Sequence, residues 1–173
     1  LVDQQLRCDS NIIVETGSVR DSHQYAVLLG LGATAIYPYL AFETIEQLVE
    51  QKQINLSARD AIVNYREGIN KGLLKILSKM GISTIASYRC AGLFEVIGLN
   101  EDIMELCFSD LPSRIKGADF NDIQQDAINL TRKAFLPHQK VNHGGLLKYV
   151  HGGEYHAFNP DVVNYLQSAV QNG

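Results

Sequence analysis

The sequence has no surplus of positive charge, no long apolar run and few cysteines. Its 173 residues carry 15 Lys and Arg against 19 Asp and Glu, a net charge of -4. Proteins that bind nucleic acid in general need basic residues to neutralise phosphates, so the composition argues against that class. No apolar run approaches the roughly 20 residues that a membrane helix needs. We therefore expect a cytoplasmic protein that binds neither nucleic acid nor a membrane.

The three cysteines, Cys8, Cys90 and Cys107, are odd in number and widely spaced. Such a set forms no disulfide framework and is typical of free thiols in a reducing compartment, so we expect all three to be buried. With 46% hydrophobic residues the chain can bury an ordinary core. Its length fits one domain, or one domain with part of another. Because it begins at Leu1 and not at Met, we expect a piece of a longer protein.

Short apolar runs alternate with amphipathic helical patterns along the chain. The longest helical pattern extends from Ser57, an N-cap residue, to Gly81, which ends it; its apolar residues recur every three or four positions. The predicted strands are residues 11–16, 33–37 and 82–85; the other predicted helices are 22–29, 42–51, 91–97, 101–108, one capped by Asp119 or Asn121, and a last one from Asn159-Pro160. This alternation predicts an α/β fold with a mostly parallel sheet or a partial, barrel-like domain.

The sequence also predicts which side chains of these helices pack closely, which are exposed and which are buried. Gly68 and Gly72 each cost the long helix roughly 1 kcal/mol relative to Ala, which indicates a close neighbour, at Gly72 above all. The row of Lys71, Lys75 and Lys79 is interpreted as a solvated edge. In the last helix we expect four apolar residues to face inward: Val162, Val163, Leu166 and Val170. His23, on an otherwise apolar helix, is expected to be a core or interface residue.

Residues 30–35 (Gly-Leu-Gly-Ala-Thr-Ala) have the letters of a dinucleotide-binding fingerprint. That motif requires a strand before the glycines and a helix after them, so that the helix N-terminus meets the pyrophosphate. Here the predicted helix precedes the glycines and a strand follows. We interpret the glycines as a turn between a helix and a strand.

Residues 87–90 (Ser-Tyr-Arg-Cys) follow a predicted strand end, where α/β proteins bind ligands. Arg89 could bind an anion or a carboxylate of a neighbouring domain, and Cys90 could be a nucleophile only with a base close by. A buried thiol and a structural ion pair are the favoured interpretations. We assign no catalytic, cofactor-binding or metal residue in this chain.

From residue 136 onward, the paired glycines at 144–145 and 152–153 predict a linker with a hairpin. His151, Glu154 and His156 lie within six positions of one another, and His143 is nearby. Their spacing matches no standard zinc signature and no cysteine joins them. A solvated turn with a polar anchor is favoured over a metal site.

Several long stretches resemble the large (alpha) subunits of bacterial, NADPH-dependent glutamate synthases. They are residues 14–16 (VET), 21–40 (DSHQYAVLLGLGATAIYPYL), 64–98 (NYREGINKGLLKILSKMGISTIASYRCAGLFEVIG), 113–115 (SRI) and 144–170 (GGLLKYVHGGEYHAFNPDVVNYLQSAV). They cover nearly the whole chain in the family's order, and KMGIST, SYRC and GGLLKYVHGGEYHA are long enough to be highly specific.

The resemblance implies that residues 1–136 are the C-terminal part of the family's central domain, 137–150 a linker and 151–173 the start of its FMN-binding synthase domain. The family's enzyme makes two L-glutamate from L-glutamine, 2-oxoglutarate and reductant, and ammonia passes inside it from an amidotransferase domain to the synthase domain. This piece is then expected to be a structural spacer between those domains and a candidate part of the ammonia route.

The resemblance also sets the expected cofactors and partners. FMN, a [3Fe-4S] cluster and NADPH are expected for the full enzyme and none of them in this piece, because no residue here matches the family's nucleophilic cysteine, flavin phosphate loops or cluster cysteines. The expected partners are the other domains of the large subunit and the small flavoprotein subunit. A self-contained cofactor-binding module and a subunit-interaction module remain as alternatives.

Overall fold

The computed structural model describes residues 1–137, 144–145 and 148–172. In chain order the elements are β1 (Ile13–Glu15), α1 (Ser22–Gly30), β2 (Ala35–Tyr37), α2 (Tyr39–Glu50), α3 (Ala58–Met80), α4 (Ile85–Tyr88), β3 (Val96–Leu99), α5 (Glu101–Cys107), β4 (Ser113–Ala118), α6 (Phe120–Ala134) and α7 (Pro160–Asn172). β1 pairs with β2 and β3 with β4, both in parallel, which confirms the α/β prediction. The chain divides into two compact units, Leu1–Ile128 and Asn129–Gly173.

The core of the first unit lies where α1 packs on α3. One buried cluster consists of Ala26, Leu29, Leu77 and Tyr88, and a second consists of Val19, Tyr25 and Ile69. Ile36 of β2 packs against both clusters. The inner face of the β1–β2 sheet is therefore covered by helices, and this region holds most of the buried apolar side chains of the unit.

The long helix α3 follows its sequence signals closely. The Ser57 hydroxyl accepts a hydrogen bond from the Asp60 N–H at 3.1 Å, and Gly81 ends the helix with a left-handed φ of 69°. A Cβ added to Gly72 would lie 2.5 Å from the Ser22 Cβ of α1, whereas one added to Gly68 would meet nothing within 4 Å. The predicted close neighbour is thus confirmed at Gly72. The three lysines of α3 are exposed, as predicted.

The strand predicted at residues 82–85 is wrong. Thr84 is the N-cap of the short helix α4, and its hydroxyl accepts a hydrogen bond from the Ser87 N–H at 3.3 Å. The β-branched run contains its own capping residue, and this local hydrogen bond offers the backbone an alternative to a strand. Residues 87–90 consequently follow a helix and not a strand end.

The helix predicted at residues 91–97 is also wrong, because Val96 and Ile97 belong to β3. β-branched residues favour strands, and Gly98, with a φ of 83°, lies at an irregularity in the pairing of β3 with β4 and is not a helix end. The partner strand β4 was not anticipated, since Ser-Arg-Ile-Lys-Gly-Ala has a single large apolar residue. All of β4 except Ala118 is exposed.

The capping predictions for α1, α5 and α6 hold. Asp21 and Gln24 form a capping box at the start of α1, and Asn100 caps α5. The Asp119 carboxylate accepts hydrogen bonds from the Asn121 and Asp122 N–H groups at 2.7 and 3.0 Å. The pKa of Asp119 is lowered, chiefly by the hydrogen bond from the Asp122 N–H and next by the one from the Asn121 side chain. Helix α6 begins at Phe120, directly after Asp119.

Several burial predictions fail. Cys8, Cys90 and Cys107 are all exposed, because they lie in loops or at a helix end that the two buried clusters do not reach. His23 is exposed as well, since the buried face of α1 is formed by Tyr25, Ala26 and Leu29; its expected place in the core is wrong, and its place in an interface stays a prediction. These four residues therefore belong to the surface of the described chain.

In the second unit, α7 begins at Pro160 as predicted, but it buries none of its residues. The inward face expected for Val162, Val163, Leu166 and Val170 is wrong for three of them: Val163 is 38%, Leu166 63% and Val170 84% exposed, whereas Val162 is half-buried. The predicted linker with a hairpin lies partly outside the described residues. No helix among the described residues has the length and apolarity required to cross a bilayer.

Candidate functional site

The structure brings together two of the stretches that the sequence singles out. The Cys90 N–H donates to the Gly30 carbonyl at 2.9 Å, which joins residues 87–90 to the glycine turn at 30–35. Helix α1 ends at Gly30 and β2 begins at Ala35, so the interpretation of a helix-to-strand turn is confirmed. Two amides of the turn donate within the molecule, Gly32 to Leu29 and Ala33 to Leu28, each at 3.0 Å.

Two guanidinium groups hold this turn. Arg89 donates from Nη1 to the Thr34 hydroxyl at 3.1 Å, and that hydroxyl also accepts from the Ile12 N–H at 3.3 Å. The predicted ion pair of Arg89 is therefore replaced, in the described residues, by a hydrogen bond to a neutral group. Arg7 donates from Nη2 to the Gly32 carbonyl at 3.0 Å and from Nη1 to the Ser10 carbonyl at 3.1 Å. Each arginine thus connects a loop to the turn before β2.

Cys90 stands beside this turn in a left-handed conformation, with a φ of 56°. A cleft of about 450 Å³ opens there; its lining includes Gly30, Phe94, Asp110 and a second thiol, Cys107. No histidine belongs to the described lining of the cleft. A nucleophilic role for Cys90 requires a base close by; of such groups, the described lining of the cleft offers the carboxylate of Asp110.

The histidine stretch near α7 forms a turn with a polar anchor. The His156 Nδ1 accepts from the Phe158 N–H at 3.1 Å, which leaves Nε2 as the donor to the Gly145 carbonyl at 2.8 Å. Both ring nitrogens are engaged, so neither has a lone pair for a metal. His151 and Glu154 are exposed. Among the described residues, no three His, Cys, Asp or Glu are grouped as metal ligands; His143 lies outside those residues.

A pair of tyrosines lies between α1 and α3. Tyr65 donates to the Arg20 carbonyl at 3.1 Å, so the 3.3 Å contact between the two hydroxyls has Tyr25 as its donor. Burial, and then the hydrogen bond to Tyr65, raise the pKa of Tyr25 far above its usual value. Burial also raises the pKa of Tyr65 and of Tyr88. The pair is a neutral structural contact and not an acid–base site at neutral pH.

The glycine turn does not fit the phosphate of FMN, and the described thiols do not fit an iron–sulfur cluster. A flavin phosphate needs converging amide donors at a helix N-terminus, whereas the glycine turn follows the C-terminal end of α1 and uses amides internally. A [3Fe-4S] cluster needs grouped thiolates, and the described residues contain no group of three such ligands. Sequence reasoning missed Arg7, because nothing in its polar surroundings marks it.

The family model of the glutamate synthase central domain matches residues 1–100. The NADPH-type glutamate synthase large chain of Bacillus subtilis is 38% identical over 98% of this chain and 11% of the relative. The ferredoxin-dependent glutamate synthase of Antithamnion sp. is 38% identical over 99% of this chain and 12% of the relative, and the NADH-type enzyme of Schizosaccharomyces pombe 37% over 99% and 8%. The chain thus spans about a tenth of the length of these relatives. It belongs to the glutamate synthase central-domain family.

Proposed function

We propose that this chain acts within a glutamate synthase large chain, as a structural spacer between the amidotransferase and synthase domains. The observation that carries the proposal is the match along 98–99% of the chain to relatives that are about nine times longer. In this proposal residues 1–136 are the C-terminal part of the central domain, 137–150 a linker and 151–173 the start of the FMN-binding domain. The whole enzyme converts L-glutamine, 2-oxoglutarate and reductant into two L-glutamate.

The physical chemistry of the described residues supports a spacer. The polar groups at the glycine turn are engaged with one another: Arg7, Arg89 and Thr34 connect loops of the same unit. A spacer between two active sites needs such a stiff frame and carries no reactive group of its own. In the whole enzyme FMN, a [3Fe-4S] cluster and a reductant are proposed to act in other parts of the polypeptide or in a small flavoprotein subunit.

A spacer of this kind also contributes to an internal route for ammonia. Protonation in water removes the nucleophile, and a low-dielectric lining disfavours the ammonium form. The test compares two rates in the full-length enzyme: glutamate formation driven by glutamine and by external ammonia. We expect Arg89→Ala to leave the ammonia-driven rate largely intact while the glutamine-driven rate falls, or while glutaminase turnover proceeds without matching product. Arg89 is chosen because its guanidinium lies at the turn and can donate further hydrogen bonds to a neighbouring segment.

The matched control is Lys75→Ala on the exposed edge of α3, which should change neither rate. Equal losses of both rates with Arg89→Ala would mean that this arginine only stabilises its own unit through Thr34.

Addition of FMN to the purified chain tests the cofactor-binding alternative: we expect no visible flavin absorbance, and a stoichiometric flavin band would favour that alternative. Co-purification with the small subunit alone would favour an interaction module.

A further inference from the structure

Two of the three thiols line the same cleft. Cys90 and Cys107 both belong to the lining of the cleft of about 450 Å³ beside the glycine turn, and both are exposed. Cys8 is exposed too, but it is not part of the described lining of that cleft. A disulfide requires two thiols that can approach each other and an oxidant that can reach them. The cleft gives Cys90 and Cys107 a shared, accessible environment that Cys8 lacks.

The two thiols are held by different segments of the first unit. The Cys90 N–H donates to the Gly30 carbonyl at 2.9 Å, and the Cys90 sulfur lies beside Gly32, where an added Cβ would be 3.1 Å from Sγ. Cys107 is the last residue of α5, a helix that is anchored by the buried side chain of Ile103. The tertiary structure, and not only the chain between them, therefore sets the distance between the two thiols.

The loop that carries Cys90 combines a strained residue with free space. Cys90 has a left-handed φ of 56°, which residues with a side chain rarely adopt. Such strained conformations cluster at functional sites. Gly92 also has a left-handed φ, of 66°, and a Cβ added there would meet nothing within 4 Å. The loop consequently has room to move toward the end of α5.

We propose that Cys90 and Cys107 form a redox modification site, which a low-molecular-weight disulfide such as oxidised glutathione converts into an intramolecular disulfide. Thiol–disulfide exchange uses the thiolate fraction that exposed cysteines have near neutral pH. The Cys90 sulfur attacks one sulfur of the oxidant, which forms a mixed disulfide and releases one thiol. The Cys107 sulfur then attacks the Cys90 sulfur and releases the second thiol. Two protons and two electrons thus pass from the cysteines to the oxidant.

The new bond would connect two parts of the unit that are otherwise joined by the chain between α4 and β3. Cys90 is bonded to the end of α1, which contributes to both buried clusters. Cys107 ends the helix that follows β3, beside the β3–β4 sheet. A disulfide that closes an open cleft is accessible to reducing thiols, so the modification is reversible. The proposal uses residues of this chain alone and does not depend on the spacer role.

The test oxidises the full-length large chain in a series of glutathione redox mixtures, blocks the remaining thiols with a maleimide and digests the protein with trypsin. Cleavage after Lys and Arg leaves both Cys90 and Cys107 in the peptide 90–114, and Cys8 in the peptide 8–20. The closed form of peptide 90–114 lacks two hydrogen atoms and carries no maleimide. We expect the native protein to close half of this peptide at a concentration of oxidised glutathione at least about tenfold lower than the same protein in urea.

Two variants test the order of the steps. Cys107→Ser removes the second thiol, so Cys90 should accumulate as the mixed disulfide with glutathione. Cys8→Ser is the matched control, because it removes an exposed thiol that does not line the cleft, and it should leave the closure of peptide 90–114 unchanged.

Three results would overturn the proposal. The first is glutathione on both Cys90 and Cys107 of the unsubstituted protein without the closed peptide. The second is closure in urea at the same oxidant concentration as in the native state, because proximity along the chain would then explain it. The third is loss of closure in Cys8→Ser. The first two need no substitution, so a variant that fails to fold leaves the test intact, and the readout is a peptide mass that does not involve glutamate formation.

Discussion

The two parallel sheets of the first unit have the same architecture and very different surroundings. In the β1–β2 sheet, Ile36 packs on both buried clusters between α1 and α3. In the β3–β4 sheet, the paired isoleucines Ile97 and Ile115 remain mostly exposed, and β4 has no buried residue. Strand pairing satisfies the backbone in both cases, and each sheet half-buries apolar side chains, Val14 and Ile36 in the first and Val96 and Leu99 in the second. The first sheet differs because its Ile36 packs on the two buried clusters, where burial of apolar area stabilises the fold.

The contrast teaches that local signals and burial are separate properties of this chain. The caps of α5 and α6, beside the open sheet, are as regular as those of α1 and α3. Helix α6 nevertheless buries none of its residues, and Leu130 is 69% exposed. Stability in the isolated chain is therefore expected to be concentrated around α1 and α3.

The largest expected effect compares core and open positions. Leu77→Ala removes a side chain that is only 5% exposed, so the free energy of unfolding should fall by about 2–5 kcal/mol. Ile115→Ala in the same chain should cost less than about 1 kcal/mol, because little apolar area is lost from contact. Urea unfolding of both variants measures the difference. Similar losses would contradict the contrast between the two sheets.

The two glycines of α3 form the next comparison. A Cβ at position 72 would clash with the Ser22 Oγ and lie 2.5 Å from the Ser22 Cβ, so rotation of the hydroxyl alone cannot relieve the clash. Gly72→Ala should destabilise the fold by about 1–3 kcal/mol through overpacking. Gly68→Ala meets nothing and should stabilise by up to about 1 kcal/mol. A higher unfolding midpoint for Gly72→Ala would contradict the close packing of α1 on α3.

The tyrosine pair predicts how stability depends on alkaline pH. The pKa of Tyr25 is raised in the folded state, so the folded state holds its proton more tightly than the unfolded state. The contribution of the Tyr25 hydroxyl to the free energy of unfolding is present below pH about 10 and is lost as the pH rises above that value. Tyr25→Phe should cost about 1 kcal/mol at neutral pH and flatten the decline between neutral and alkaline pH.

Tyr65 and Tyr88 contribute to the same loss of stability at alkaline pH, because burial raises the pKa of each. Tyr25→Phe is therefore expected to flatten the decline only in part. The measurement is chemical unfolding at a series of pH values for both proteins. An identical pH dependence of the variant and the parent would show that the Tyr25 hydroxyl does not contribute.

The smallest expected effect concerns the ion pair between Arg114 of β4 and Glu95. The side chain of Arg114 is 84% exposed in its ion pair with Glu95. Exposed pairs contribute about 0–1 kcal/mol and are screened by salt. Arg114→Ala should therefore change the free energy of unfolding by less than about 1 kcal/mol, with the difference vanishing in high salt. A larger, salt-resistant loss would mean that this ion pair contributes more to the stability of the β3–β4 sheet than its exposure indicates.

Sequence reasoning recovered the elements whose signals are local. Helix α3 lies between Ser57 and Gly81, as both residues predict, because a hydroxyl cap and a left-handed glycine act within one turn. The helix-to-strand turn at Gly30 and Gly32 was also predictable, because the order of elements decides whether a glycine motif can bind phosphate. The failures at residues 82–85 and 91–97 came from short runs in which capping and strand propensity compete.

Only the tertiary structure decided burial and the partners of polar groups. The hydrogen bond from Arg89 to Thr34 spans 55 residues, and the one from Arg7 to the Gly32 carbonyl spans 25, so no local pattern encodes either. The cysteines and His23 are exposed because burial depends on what packs against a position and not on residue type alone. The sequence by itself determined where helices such as α3 begin and end and to which family the chain is similar; contacts between distant segments determined which faces are covered.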